Sequence, residues 1–385
     1  MYPTLSDLLN DLFGINQPMP IQTFGLMMAL SFFLAAYTLT LELKRKEKNG
    51  LLKSFTYSYV KGKPATTGEL IVAGIVGFII GFKLLEAILN YNDLVNNPQE
   101  FLLSSRGNIW GGLLAAAYSA WSKYNEKKKQ QLAVPQTITE TGYPHQFVMN
   151  ITMAAALAGL IGAKIFHNLE NIDDFMRDPV DALISFSGLT FFGGLICGAA
   201  AVLWYSGKKL KVPAWVICDA TAPGLMLSYG TGRLGCHLAG DGDWGIVNTA
   251  AKPSWFPFPD WMWSYNYPHN VINEGVPIDG CTGNHCFQLI PPVFPTPLYE
   301  AAACIILFFV LWQLRKKIHI PGMLFGVYLL FTGVERLLIE QIRVNTKYHI
   351  FGHGITQAEL ISSFLIVISI ALIFYLKRRK TVTAR

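Results

Sequence analysis

Apolar stretches long enough to cross a bilayer recur along this chain. Little else constrains a fold as tightly, because backbone polar groups in lipid must be satisfied within a helix or a closed barrel. A spanning helix needs roughly 20 mostly apolar residues. Windows of that kind lie at 20–42, 69–90, 107–123, 147–168, 187–206, 214–236, 297–314, 321–343 and 357–376. With 52% hydrophobic and only 15% charged residues, the pattern predicts an all-α polytopic integral membrane bundle of about nine spans.

Charge then sets the expected orientation. Basic clusters at 44–48, 127–129, 208–211, 315–317 and 377–380 follow alternate windows. The positive-inside rule turns all five toward the cytoplasm, which puts the N-terminus outside, the C-terminus inside and makes the number of spans odd. The net charge of +6 reflects this asymmetry, and the basic residues form no stripe interleaved with stacking aromatics, so nucleic acid is not an expected partner. The opening MYPTLSDLLNDLFGINQPMP has neither a basic flank nor a small-residue cleavage site, and reads as retained.

The chain also repeats itself. IGFKLLEAILNYNDLVNNPQEFLLSSRGNIWGGL from Ile80 resembles IGAKIFHNLENIDDFMRDPVDALISFSGLTFFGGL from Ile161. Gly81, Lys83 and Pro98 answer Gly162, Lys164 and Pro179; after one inserted residue, Gly111 and Gly112 answer Gly193 and Gly194. The copies, 69–123 and 147–206, lie two spans apart and so share an orientation, a parallel repeat inside one membrane domain, 1–380. The polar linker 127–145 reads as a loop between them. Residues 241–297 form an extracytoplasmic insert between spans six and seven. Its KPSWFPFPDWMWSYNYPHN suits either the head-group layer or a small cap with its own aromatic core.

Cysteines divide by place. Cys197, Cys218 and Cys304 sit in apolar windows as packing residues; Cys281 and Cys286, in CTGNHC, read as a local disulfide ahead of a zinc site that includes His285. Neither a metal nor a cofactor is expected.

Ionisable groups inside spans are costly and mark function by default. Here they are Lys83, Glu86, Lys164, Glu170, Asp219, Arg233, His237, Glu300, Glu335, Arg336 and Arg343. Lys83 and Glu86, three apart on one helix, are spaced to pair. Lys164 is placed to snorkel or to meet Asp219. Arg233, Arg336 and Arg343 lie near the outer ends of their spans, positioned to converge on one anion. A guanidinium grips phosphate bidentately, and a phospholipid head group is the anion found at that depth.

GRLGCHLAGDGDWG, residues 232–245, resembles the signature of the prolipoprotein diacylglyceryl transferases, Gly-Arg-x-Gly-Asn-Phe-x-Asn-x-Glu-x-x-Gly. Other stretches agree in order. PIQTFGLMMAL from Pro20 is similar to the first-span motif, GLTFFGG from Gly188 to the Gly-rich motif and PTPLYEA from Pro295 to the Pro-x-x-Leu-Tyr-Glu element, while GVERLLIEQIRVN and GITQAELIS complete the C-terminal pattern. The chain departs from the family at Phe24 (tyrosine), Phe192 (histidine or tyrosine), Thr332 (tyrosine), Cys236 (asparagine) and His237 (phenylalanine). One extra residue leaves the signature glutamate to be matched by either Asp241 or Asp243.

The resemblance implies a bacterial inner-membrane enzyme. Its reaction moves the sn-1,2-diacylglyceryl group of phosphatidylglycerol to the lipobox cysteine thiol of a prolipoprotein signal peptide, releasing glycerol phosphate. Arg233 and Arg336 fall on the family's arginines and take the phosphate, with Arg343 as a further head-group contact. His237, four residues after Arg233, stands as general base or as a structural histidine. Asp241, Asp243, Glu300, Gly193, Gly194, Phe192 and Phe24 fall on or beside the motifs as substrate-site residues. Asp241 and Asp243 also suit a turn around Gly242, with binding a cation or orienting His237 as the alternative, and the glycines suit close helix packing. The alternative is a membrane protein that binds phospholipid, or assembles lipoproteins, without catalysis.

Overall fold

Each apolar window becomes a helix of at least 18 residues: α1 (Thr23–Lys48), α2 (Thr67–Leu89), α3 (Ile109–Gln130), α4 (Val148–Glu170), α5 (Phe191–Lys208), α6 (Ala214–Ala239), α7 (Thr296–Leu314), α8 (Met323–Glu340) and α9 (Gln357–Thr383). The structure, a computed structural model, describes residues 1–15, 17–184, 190–350 and 353–383. The first two residues of GLTFFGG, and the part of the second repeat at 185–189, lie outside the described residues.

Five helices are long and apolar enough to cross a membrane: α1, α2, α4 with the turn before it (Pro144–Glu170), α7 and α9 as far as Arg379. The protein is mostly helical and polytopic. Among the remaining long helices, α6 carries Asp219, Arg233 and His237 and is also heavily buried. A polar helix in such a bundle belongs inside it.

The contacts divide the chain into two compact units, where the sequence reading treats 1–380 as one domain. One holds Met1–Asn16, Gln22–Lys53 and Pro144–Arg385; the other holds Gln17–Ile21 and Ser54–Tyr143. In the smaller unit α2 packs on α3, and two strands close the base: β1 (Phe55–Lys61) pairs antiparallel with β2 (Gln136–Gly142), Phe55 opposite Gly142. The linker 127–145 is therefore not simply a loop. Thr137, Ile138, Thr139 and Thr141 are β-branched, and the hydroxyls of Tyr57 and Tyr59 donate to Glu140 at 3.0 and 2.8 Å across the pair.

The repeat is reproduced element by element. The long helix of each copy begins at 67 or 148 and spans 23 residues; short helices follow at Tyr91–Asn96 and Pro98–Leu103, or Ile172–Arg177 and Pro179–Ile184; the returning helix begins at 109 or 191. The offset is 81 residues up to the insertion and 82 after it. Glycines explain the tight hairpins. A Cβ on Gly81 would lie 2.3 Å from the Gly111 carbonyl oxygen, and one on Gly162 would lie 2.5 Å from that of Gly193. Neither pair of helices can approach so closely with a larger residue there.

Three charged residues are placed differently from expectation. Lys83 donates to the backbone carbonyls of Phe101, Ser104 and Arg106 at 2.6–2.7 Å, gathering the loop between α2 and α3, while Glu86 accepts from Asn90 Nδ2 at 2.9 Å. Asp219 caps α8, accepting from the amides of Gly322 (2.7 Å) and Phe325 (2.8 Å), where unpaired N–H groups and the helix dipole favour a carboxylate.

In the larger unit α6 packs against α1, α7 and α8, while α8 packs on α9 and α4 on α5. The hydroxyl of Ser228 reaches the Ser31 carbonyl of α1 at 2.9 Å. At the far end of α1, buried Glu42 binds Arg45 (2.6 Å) and Arg315 (2.5 Å), tying α1 to the end of α7. Tyr267, Trp244, Leu289 and Val293 form a buried cluster in the insert, and Cys281 is bridged to Cys286. The insert is thus a folded cap with its own core.

Candidate active site

The site is built where α6 ends. Gly240 adopts φ 66°, which closes the helix by donating its amide to the Cys236 carbonyl at 2.9 Å. Arg233, Cys236 and His237 therefore occupy the last two turns. The chain then reverses through Asp241–Gly242–Asp243, with the Asp243 amide donating to Asp241 Oδ1 at 3.3 Å and Gly242 at φ 97°. Burial pushes the Asp241 carboxyl above its usual range.

Backbone pairing next draws three distant segments together. The Gly245 amide donates to the Phe294 carbonyl and the Ile246 amide to that of Ile342, both at 2.9 Å, and Thr296 Oγ1 donates to the Asp243 carbonyl at 2.9 Å. These contacts join the end of α6 to the start of α7 and the chain just beyond α8. Gly245 sits in the seam, where a Cβ would lie 2.4 Å from the Ile342 carbonyl oxygen. Gly245→Ala is expected to cost about 1–3 kcal/mol by overpacking. A matching fall in thermal midpoint, with reduced activity, is the check; a midpoint equal to that of the native protein would show the seam to be slack.

The three arginines converge as expected, but on carboxylates of the chain itself. Glu300, on the first turns of α7 and 0% exposed, accepts on Oε1 from Arg336 Nη1 (3.0 Å) and Arg343 Nη1 (3.1 Å) and forms an ion pair through Oε2 with Arg233 Nε at 2.6 Å. Asp243 takes Arg233 on one oxygen and Arg343 on the other. Arg336 also pairs with Glu340, one turn along α8, at 3.1 Å. The Arg233 guanidinium lies 5.2 Å from the centre of the Tyr229 ring. Of the carboxylates that bind the arginines, Asp243 is the accessible one, with its side chain 33% exposed.

Asp243, rather than Asp241, thus meets the arginines, and Asp241 supports the turn beneath it. Cys236, Asp241 and Asp243 bring one ligand atom each within 4.8 Å of one another, but both oxygens of Asp243 are engaged by guanidiniums. That arrangement gives a cation little to bind.

Two residues at the site carry sequence signals that the motif reading passes over. Glu340 stands four residues after Arg336, and Tyr229 four before Arg233, each on the same helical face as its arginine.

His237 faces the insert. It is buried beside the rings of Trp261, Tyr265 and Tyr267, with Nδ1 3.1 Å from the Tyr267 hydroxyl. Tyr267 is fully buried, and its hydroxyl is held well above the usual tyrosine range by desolvation, so it stays protonated. Nothing in the sequence announces this partner, which lies 30 residues away.

The remaining candidates take no part in the arginine–carboxylate cluster. Gly193 and Gly194 are turned toward α4, where added Cβ atoms would meet the carbonyls of Gly162 (2.5 Å) and Gly159 (3.3 Å). Phe192 packs edge-on with Phe191, and Phe24 lies over Gly235 in the turn that carries Arg233.

The family model described as prolipoprotein diacylglyceryl transferase matches residues 10–141 and 132–375. A phosphatidylglycerol–prolipoprotein diacylglyceryl transferase of Leptospira interrogans is 24% identical, with 97% of this chain and 94% of the relative covered. Relatives carrying the same name in Corynebacterium diphtheriae and Vibrio vulnificus are each 28% identical; 60% and 62% of this chain are covered, and 78% of each relative. The matches extend over both units and over every helix that supplies an arginine or a carboxylate to the cluster, and on that evidence the chain belongs to the prolipoprotein diacylglyceryl transferase family.

Proposed function

We propose that this protein transfers the diacylglyceryl group of phosphatidylglycerol to the lipobox cysteine thiol of a prolipoprotein, in a bacterial inner membrane that it crosses nine times, N-terminus outside. The nine helices at the nine apolar windows and the alternating basic clusters support that topology. The observation that carries the activity is the convergence of Arg233, Arg336 and Arg343 on one buried carboxylate, Glu300 of α7.

The geometry suggests how a lipid enters. Asp243 holds two arginines through its two oxygens, as a phosphodiester would, and is partly exposed. A lipid phosphate displaces Asp243, while Glu300 keeps the guanidiniums aligned from behind. The thiol sulfur then attacks the glyceryl carbon that bears the phosphate. The S–C bond forms as the S–H and C–O bonds break: the thiol proton passes through water to the outer solvent, and the C–O electron pair stays on the phosphate oxygen, which departs as glycerol phosphate. Guanidiniums preorganised in a poorly hydrated site stabilise that charge more than the diester charge of the ground state.

The aromatic box around His237 supports a place in seating the insert on α6 rather than in taking the thiol proton. His237→Phe, which keeps the ring packing, should leave turnover within about threefold of native, because a general base contributes roughly 10²–10⁴-fold. Loss on that larger scale in a folded protein would return the proton to His237.

The decisive experiment supplies purified protein with phosphatidylglycerol and a synthetic lipobox peptide, and scores the diacylglyceryl thioether by mass spectrometry. Phe24 and Phe192 favour a second reading, since both put hydrocarbon where the family signature carries a polar ring. Lipid bound tightly with no thioether formed, under conditions where an established family member forms it, would select that non-catalytic reading.

A further inference from the structure

Glu335 is the carboxylate that the mechanism leaves unused. It lies on α8 beside Arg336, is 5% exposed, and neither of its oxygens has a hydrogen-bond or ion-pair partner among the described residues. The charged groups acting on it are Glu300, Arg336, Arg233 and Arg343, so it belongs to the arginine cluster without being bound by it. Glu300, Glu340 and Asp243 each hold at least one guanidinium. A buried carboxyl with no partner is expensive, and a native one calls for an explanation.

We propose that Glu335 reads the lipid head group: its carboxyl accepts a hydroxyl of the terminal glycerol while the arginines hold the adjoining phosphate. The assignment rests on the phosphatidylglycerol reading above. Its chemistry follows from what the site lacks. A carboxyl oxygen with no donor accepts from an O–H, and the head-group glycerol carries free hydroxyls next to its phosphate. An ammonium head group is the competing partner for a carboxylate, and the comparison includes one. A site built around a substrate hydroxyl rejects an analogue without one, because its own buried polar group is then left unpaired.

The test compares lipids with identical acyl chains and one phosphodiester each: phosphatidylglycerol, phosphatidylethanol, which lacks head-group hydroxyls, and phosphatidylethanolamine. Binding to the full-length protein in detergent is measured by competitive native mass spectrometry. Native protein should prefer phosphatidylglycerol over phosphatidylethanol by about 10–100-fold, the range expected of a hydrogen bond to a charged acceptor. Glu335→Leu should bring that ratio close to one while leaving phosphatidylethanol binding unchanged, which also reports that the variant is folded. Glu335→Gln, which keeps an acceptor oxygen, should retain part of the preference. A native ratio near one, an unchanged ratio in Glu335→Leu, or a Glu335-dependent preference for phosphatidylethanolamine would each overturn the proposal. Thioether formation is scored separately, so a protein that makes no thioether still shows, through its lipid preference, whether Glu335 binds the head-group hydroxyl.

Discussion

Arg233→Ala should lower kcat/KM for thioether formation by roughly 10²–10³-fold, the loss typical when one preorganised charge donor is removed from a developing anion. Arg233 is the joint of the cluster. It reaches Asp243 with one nitrogen and Glu300 with another, and lies over Tyr229. Arg233→Lys should recover little, since a point charge on a flexible stem cannot reach both positions at once. The fold should survive both changes, because Arg336 and Arg343 still neutralise Glu300. Product yields from lipobox peptide and phosphatidylglycerol decide the matter. A variant within threefold of native activity would remove Arg233 from the phosphate.

Glu300→Gln is expected to act on stability as well as on activity. The native carboxylate is fully buried and pairs with three guanidiniums, two of them through hydrogen bonds; an amide oxygen replaces only part of that and leaves the like charges facing one another. Removing one partner from a buried charged cluster costs about 3–5 kcal/mol. The expected signature is a clear drop in thermal midpoint in detergent, larger than that of Arg233→Ala, together with loss of turnover. Asp243→Asn is the internal comparison, because a third of that side chain is exposed and screening shrinks its contribution. A Glu300→Gln midpoint equal to native would mean that the arginines are held apart by other contacts.

The helices and the arginines were legible in the sequence for separate reasons. Hydrophobic windows locate helices because lipid leaves the backbone no other solution, and 214–236 and 297–314 fall within a few residues of α6 and α7. The window 107–123 stops short of the end of α3, Gln130, because lysines continue the helix while ending the hydrophobic signal. Arg233, Arg336 and Arg343 stood out because charge inside an apolar run is rare. Their partners were less visible. Glu300 and Asp243 meet them only through the Gly245 seam, which pairs residues about 50 and 100 positions apart. Lys83 binds backbone carbonyls, which every residue possesses and none advertises. The β1–β2 pair is polar and exposed, so its alternation has no buried face to betray it.

That strand pair has a consequence for the chain as a thread. With Phe55 opposite Gly142, the 90 residues of the smaller unit's main segment enter and leave at a single point. A helical hairpin pinned in this way returns the polypeptide to the place from which it set out. The first repeat is therefore a detour with coincident ends, and the residues that assemble the cluster, Arg233, Glu300, Arg336 and Arg343, all lie outside it.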